Sequence, residues 1–246
     1  MIKIGRGIRI YNNYIDEVEF CKENGFDFMQ IWFKDGQIAL SNIPEPKIEY
    51  LKEVGFPIIF HAVFTPDDFD LYGDILLNLV EYLGDTEVIV HPVYDKNLVT
   101  DKTELVLIEK VGAFSQKAKT KGITWYLENN SVIDKFHYKK EELESLYKSD
   151  NYVEQLLDIA HIDNYEHLKE IVAVKYPKCL HVAGKHFNVP HEHLSLTKGD
   201  IDYSLVFKKY LQNYNGRIIL EVVDTDEEII QSKRIIENAI SQINNV

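Results

Sequence analysis

At 246 residues, 45% of them hydrophobic, the chain can bury a sizeable core as one domain spanning 1–246. Its 40 acidic against 27 basic residues give a formal charge of −13, which argues against a nucleic-acid backbone as the main partner. Cys21 and Cys179 form no metal or redox motif, no apolar run is long enough to span a bilayer, and MIKIGRGIRIY has no secretion-signal core, so a soluble cytoplasmic protein is expected.

A short β-branched or aromatic run alternates with a longer amphipathic run along the whole chain. Strand-like Ile2–Ile8 precedes a helical stretch from Tyr14 to Asn24, which Gly25 ends. Phe26–Phe33 is the second strand, with Pro46 to Val54 as a short helix stopped by Gly55. PIIFHAV (Pro57–Val63) is the third strand and Leu71 to Leu83 the next helix, with Leu76, Leu77, Val80 and Leu83 on one face. Val88–His91 is the fourth strand. Thr103 to Thr120 is helical, with Leu107, Val111, Phe114 and Ala118 at helical spacing. ITWYLE (Ile123–Glu128) is the fifth strand, followed by a helix from Lys140 to Lys148. Val153–Asp158 and Leu180–Ala183 are the sixth and seventh strands, with helices at Asn164–Val172 and Asp202–Tyr214. RIILEVV (Arg217–Val223) is the eighth strand. The last helix runs from Asp226 to Ile243, lined by Ile229, Ile236, Ile240 and Ile243.

Eight strand–helix units in a chain of this length predict a single (β/α)8 TIM barrel, an α/β fold of about 250 residues. The strands are continuous apolar runs, as a parallel sheet covered by helices requires. A doubly wound open sheet is the alternative, but no glycine-rich phosphate loop follows the first strand; Gly5-Arg6-Gly7 lies inside it.

Catalytic groups of such barrels sit at the C-terminal strand ends. Those ends carry His61, His91, Glu128, Asp158, His181 and Glu221, with His161 three residues past Asp158. A lone strand-end histidine or glutamate is usually only the first solvated residue. Six on one rim is different, because closure of the barrel crowds three carboxylates together and their repulsion calls for a cation. The stretch from Cys179 to Asp200 adds His186, His191 and His193. His137 lies in a loop, facing substrate or solvent, and His167 reads as a surface residue. Trp125 reads as core, whereas Trp32, at a strand end, could wall a ligand pocket.

The segments FHAVF, VIVHPV, YLENN, LLDIAH, LHVAGKH, HEHLSLTKGDID and LEVVD, in this order and spacing, resemble the xylose isomerase-like TIM-barrel superfamily over nearly the whole chain. That superfamily includes sugar (phosphate) isomerases and epimerases and also endonuclease IV. The resemblance to its ketose 3-epimerases implies one divalent metal, manganese or magnesium, held by Glu128, Asp158, His181 and Glu221. Glu128 and Glu221 then also move the proton beside a metal-polarised carbonyl, and His161 orients the substrate. Where those epimerases have an arginine past the seventh-strand histidine, this chain has Lys185, His186 and Phe187. The resemblance to endonuclease IV implies three zinc ions, with His61, His91, His161 and His193 matching its additional ligands and His191 standing where that family has aspartate. His61, His91, His191, His193 and Lys185 are thus candidate additional metal or substrate residues. The favoured substrate is a small sugar or sugar phosphate, because a −13 chain with few long loops suits no duplex; the basic loops at Lys135–Lys140 and Lys185–Lys198 would suit one small phosphate.

Overall fold

A computed structural model describes residues 2–149 and 152–242. Eight parallel strands close into a barrel: β1 (Lys3–Gly7), β2 (Phe28–Lys34), β4 (Ile58–Phe64), β5 (Glu87–Pro92), β6 (Thr124–Glu128), β7 (Glu154–Asp158), β8 (Cys179–Val182) and β9 (Arg217–Leu220). Closure comes from β1, which pairs with β9 on one side and β2 on the other, so the open doubly wound sheet is excluded. A two-residue strand absent from the sequence reading, β3 (Gln37–Ile38), folds back antiparallel on β2.

The helices covering the barrel are α1 (Tyr14–Glu23), α2 (Lys47–Val54), α3 (Pro66–Leu83), α4 (Thr103–Thr120), α5 (Lys140–Ser149), α6 (Tyr165–Val174), α7 (Tyr203–Leu205) and α8 (Asp226–Ser241). Helix α3 begins five residues before the sequence-based start at Leu71. Thr65, Pro66 and Asp68 build its first turn, with the Thr65 amide donating to Asp68 Oδ2 at 2.8 Å. The helix read across Asp202–Tyr214 is shorter: α7 widens into a π-type turn at Val206–Tyr210, where the Leu211 amide donates to the Val206 carbonyl. The apolar faces read from spacing are buried against the sheet, including Leu76, Leu77, Val80, Leu107, Val111, Phe114, Ala118, Ile229 and Ile236. Ile243 lies outside the described residues. Among those described, no helix is long and apolar enough to cross a membrane.

Side chains inside the barrel stack in layers. Phe28, Ile59, Ile89, Tyr126, Leu156, Cys179 and Ile219 form an apolar cluster separate from the main core between sheet and helices. Alternate residues of a strand share a face, so two positions further on the same strands point inward again. Those positions are Gln30, His61, His91, Glu128, Asp158, His181 and Glu221. One step of the pleat therefore turns an apolar floor into a polar ring. Gly5 contributes to the floor by leaving room: a Cβ there would lie 2.5 Å from the Phe28 ring. Gly5→Ala should cost about 1–3 kcal/mol in chemical denaturation by overpacking this layer, and Phe28→Leu in the same chain should recover part of the loss; full parental stability of the single variant would refute the packing argument.

Candidate active site

Glu128 ends β6, Asp158 ends β7, His181 sits within β8 and Glu221 follows β9. The sheet register sets Asp158 beside His181. His181 Nδ1 lies 3.4 Å from Glu128 Oε1, 3.4 Å from Glu221 Oε1 and 3.9 Å from Asp158 Oδ2. Its other nitrogen, Nε2, donates to Gln30 Oε1 at 2.8 Å, which leaves a bare lone pair on Nδ1 in the neutral ring.

His161 and His91 follow the same arrangement. His161 Nδ1 donates to the Asn129 carbonyl at 2.8 Å, which turns Nε2 toward Asp158 Oδ2 at 3.3 Å. His91 Nε2 donates to Asn130 Oδ1 at 2.9 Å, which turns Nδ1 toward Glu128 Oε2 at 3.6 Å. His61 Nε2 donates to Glu128 Oε2 at 2.9 Å, and its Nδ1 lies 3.6 Å from Glu221 Oε1. His193 comes from the long loop after β8, its Nδ1 3.3 Å from Glu221 Oε2 and its Nε2 3.7 Å from Asp158 Oδ2. The exposed His191 ring is 5.0 Å from both His161 and His193.

Four buried atoms of this ring have no hydrogen-bond partner: His61 Nδ1, Asp158 Oδ2, His161 Nε2 and His181 Nδ1. Orphaned buried polar atoms are costly, and divalent cations bound among them would satisfy them. The donor set is imidazole and carboxylate, which suits zinc, manganese or magnesium. Each of five triads brings its ligand atoms within 4.8 Å of one another: His61–His181–Glu221, His61–His91–Glu128, Glu128–Asp158–His181, Asp158–His193–Glu221 and His161–His191–His193. The residues present therefore fit a metal site.

Electrostatics agree. Burial alone would push the Glu221 carboxyl up, but His181, His193 and His61 outweigh it and hold it at about 2. Burial likewise opposes ionisation of Glu128, yet His91, His181 and His61 bring it well below the carboxylate range. Burial works to lower His181, whereas Glu221, Glu128 and Asp158 raise it to about 9. His91 and His191 are lowered, chiefly by burial.

A cavity of about 460 Å³ opens above the ring, walled by Trp32, Ile8, Val222 and Val223. Trp32, allowed from its strand-end position as a pocket wall, is one, its ring 4.9 Å from that of His61. The predicted strand-end groups converge in the ring, with His61, His91, Glu128 and Glu221 lining the cavity and Asp158 and His181 not reaching its wall, but Lys185 joins neither. Its side chain is buried, its ammonium donates to the Ile162 carbonyl, and it does not line the cavity. His167 is buried rather than on the surface, because its Nε2 packs against the Tyr138 carbonyl of the loop folded over α6. His137 faces neither substrate nor solvent: it is fully buried, bonded to Glu104 at 3.0 Å. The sequence reading missed Gln30 and assigned no role to Asn129 or Asn130, although a lone polar residue within the apolar run FMQIWF was a usable signal.

A polar, metal-ready ring at the C-terminal rim of a (β/α)8 barrel defines the class, and the sequence defines the family. Residues 18–241 match the family model for the xylose isomerase-like TIM barrel, and the chain belongs to that family. No curated protein matches it in sequence. In structure it is similar to a D-tagatose 3-epimerase-like protein (TM-score 0.80, 20% identity, 98% of each chain covered). It is similar as well to D-psicose 3-epimerase with D-tagatose from Clostridium cellulolyticum H10 (TM-score 0.67, 16% identity, 99% of each chain). A third similar structure is the IolI protein with a zinc atom (TM-score 0.72, 16% identity, 99% of this chain and 100% of that one). At these identities the likeness is one of fold.

The raised His181 carries a testable consequence. Its ordinary value of 6.5 becomes about 9 in the fold, so the stability it adds is complete below about 6.5 and is lost as pH rises through about 9. Glu221, lowered from 4.5 to about 2, adds stability that is present above about 4.5 and is lost as pH falls through about 2. Chelator-stripped protein should therefore lose several degrees of melting temperature between pH 6.5 and 9.5, and metal-loaded protein should not, because the cation takes the place of the proton. Parallel melting curves for the two forms would remove the metal reading.

Proposed function

We propose that the protein is a metal-dependent isomerase or epimerase of a small sugar or sugar phosphate. The observation that carries this reading is the pair Glu128 and Glu221, whose carboxylates approach one imidazole nitrogen at 3.4 Å each from strands three places apart around the barrel. Carboxylates reaching a cavity from different sides are what moving a proton off one face of a carbon and onto another requires. Glu128, Asp158, His181 and Glu221 would hold the divalent metal, which supplies positive charge to polarise a carbonyl.

Glu221 is the more open of the two glutamates, 13% exposed toward the cavity against 1% for Glu128. His181, His193 and His61 keep it ionised, the form that accepts a proton from the carbon beside the carbonyl. Glu128, ionised at rest, would take a proton from solvent and return it from the other side, while Glu221 gives up to solvent the proton it accepted. His161, its Nδ1 anchored on the Asn129 carbonyl, presents Nε2 to orient a substrate oxygen. Trp32, Ile8, Val222 and Val223 give the cavity an apolar wall. The epimerase neighbours of the same fold support a sugar as the substrate class.

The test is deuterium uptake from heavy water into a panel of ketoses and ketose phosphates by the metal-loaded protein. Exchange should occur with at least one sugar, and Glu128→Gln or Glu221→Gln should slow it about 10²- to 10⁴-fold. A loaded protein that exchanges no proton across the panel would defeat the isomerase reading.

A second reading, a phosphoesterase with two or three zinc ions, is favoured by one observation: the triads His61–His91–Glu128, Glu128–Asp158–His181 and His161–His191–His193 adjoin one another along the rim. Zinc there would activate water against a phosphate ester. Metal analysis separates the two. One equivalent of manganese or magnesium supports the isomerase. Two or more of zinc, falling by one in His191→Ala, supports the cluster.

A further inference from the structure

We infer that Gln30 is the positioning residue of the metal centre: one side-chain amide fixes the imidazole of His181 and the carboxylate of Glu221 relative to each other. The inference rests on the metal reading of the site but not on the reaction assigned to it.

Gln30 is fully buried and belongs to the same inward layer as the ring. Its Oε1 accepts from His181 Nε2 at 2.8 Å, and its Nε2 donates to Glu221 Oε1 at 2.6 Å. Neither end is spent on backbone. An amide is the side chain that offers an acceptor at one atom and donors at the next, and the two partners need one of each. Leucine or methionine at position 30 would offer neither, and glutamate would offer His181 an acceptor but Glu221 no donor.

The reach is made from β2 across β1 to β9 and β8. The residue of β1 in register with Gln30 is Gly7, which has no side chain to stand between Gln30 and its partners. Two consequences follow. With Nε2 engaged by Gln30, Nδ1 faces Glu128, Asp158 and Glu221, as a lone pair once the ring is neutral. Glu221 Oε1 is held 3.4 Å from that nitrogen, so imidazole and carboxylate present their lone pairs to one point. Partners that orient metal ligands in this way are worth about 10- to 100-fold in metal affinity.

The experiment compares the parent protein with Gln30→Met, which is similar in length and apolar, and Gln30→Glu, which keeps the His181 bond and loses the Glu221 bond. Each is stripped, titrated with cobalt(II) against a chelator, and read by visible absorption; melting of the metal-free forms monitors folding. Gln30→Met should bind cobalt about 10- to 100-fold more weakly with an altered ligand-field spectrum. Should Gln30→Met not fold, Gln30→Glu supplies the same readout, since loss of the Glu221 bond alone should change the spectrum. Parental affinity and spectrum in the folded variants would overturn the assignment, as would a parent protein that binds no divalent metal. A parent that binds cobalt, with both variants altered as stated, supports the role even if no ketose exchanges a proton, and that failure then falls on the isomerase reading alone.

Discussion

Three carboxylates around one imidazole are the constraint from which the rim of this barrel follows. Glu128, Asp158 and Glu221 all lie within 3.9 Å of His181 Nδ1, in a ring where Glu128 and Asp158 are almost completely buried. Negative groups this close and this dry repel one another strongly, and burial makes each charge costlier still. Without metal the ring compensates by keeping a proton on His181, which is why that imidazole is raised to about 9. A proton at one nitrogen offsets only part of that repulsion, and it leaves Asp158 Oδ2 without a hydrogen-bond partner.

The barrel makes this crowding affordable through the strand pleat. Every ring residue from β2 to β9 lies two positions beyond a member of the apolar floor, so packing of the floor sets the height of the ring. A slip of one residue on any strand would turn its ring member outward into the helix layer. Precision at the rim therefore comes from a cluster that never meets substrate: Phe28 fills the space that Gly5 leaves, and Cys179 and Ile219 sit directly below His181 and Glu221 on their strands.

This logic explains what could be read in the sequence and what could not. His91, Glu128 and Asp158 each close an apolar run, so their strand, phase and rim are written locally, and the barrel count follows from the same alternation; His61 instead lies inside the run IIFHAVF. Gln30 breaks an apolar run in its middle rather than closing it, and its partners lie 151 and 191 residues away, so its role existed only after closure. His167 and His137 sit in polar stretches that look solvated, yet each is covered by a neighbouring segment. Lys185 shows the limit in the other direction, because a four-carbon stem can carry its charge to either side of its backbone, and here it turns to Ile162. The early start of α3 was legible in Thr65-Pro66-Asp67-Asp68, a capping pattern ahead of the apolar periodicity.

The outward nitrogens bear on whether one cation or several is the resting state. His91, His161 and His181 each spend one ring nitrogen on an amide or carbonyl, which turns the other nitrogen inward toward the carboxylates. Three imidazoles aimed at carboxylates are a geometry that a cation could use with little rearrangement of its ligands. It is unequal around the rim. Glu128, Asp158 and His181 stand on hydrogen-bonded neighbouring strands, Asp158 in direct register with His181 and Glu128 in register with Leu156, with Gln30 behind His181. His191 and His193 stand on a loop closed by the bridge between Gly184 and Leu194, and His191 is exposed. Ligands already held in place lose less entropy on binding. The strand-borne set is therefore the better organised of the two for a cation, and His161, His191 and His193 the one that would lose more freedom on binding.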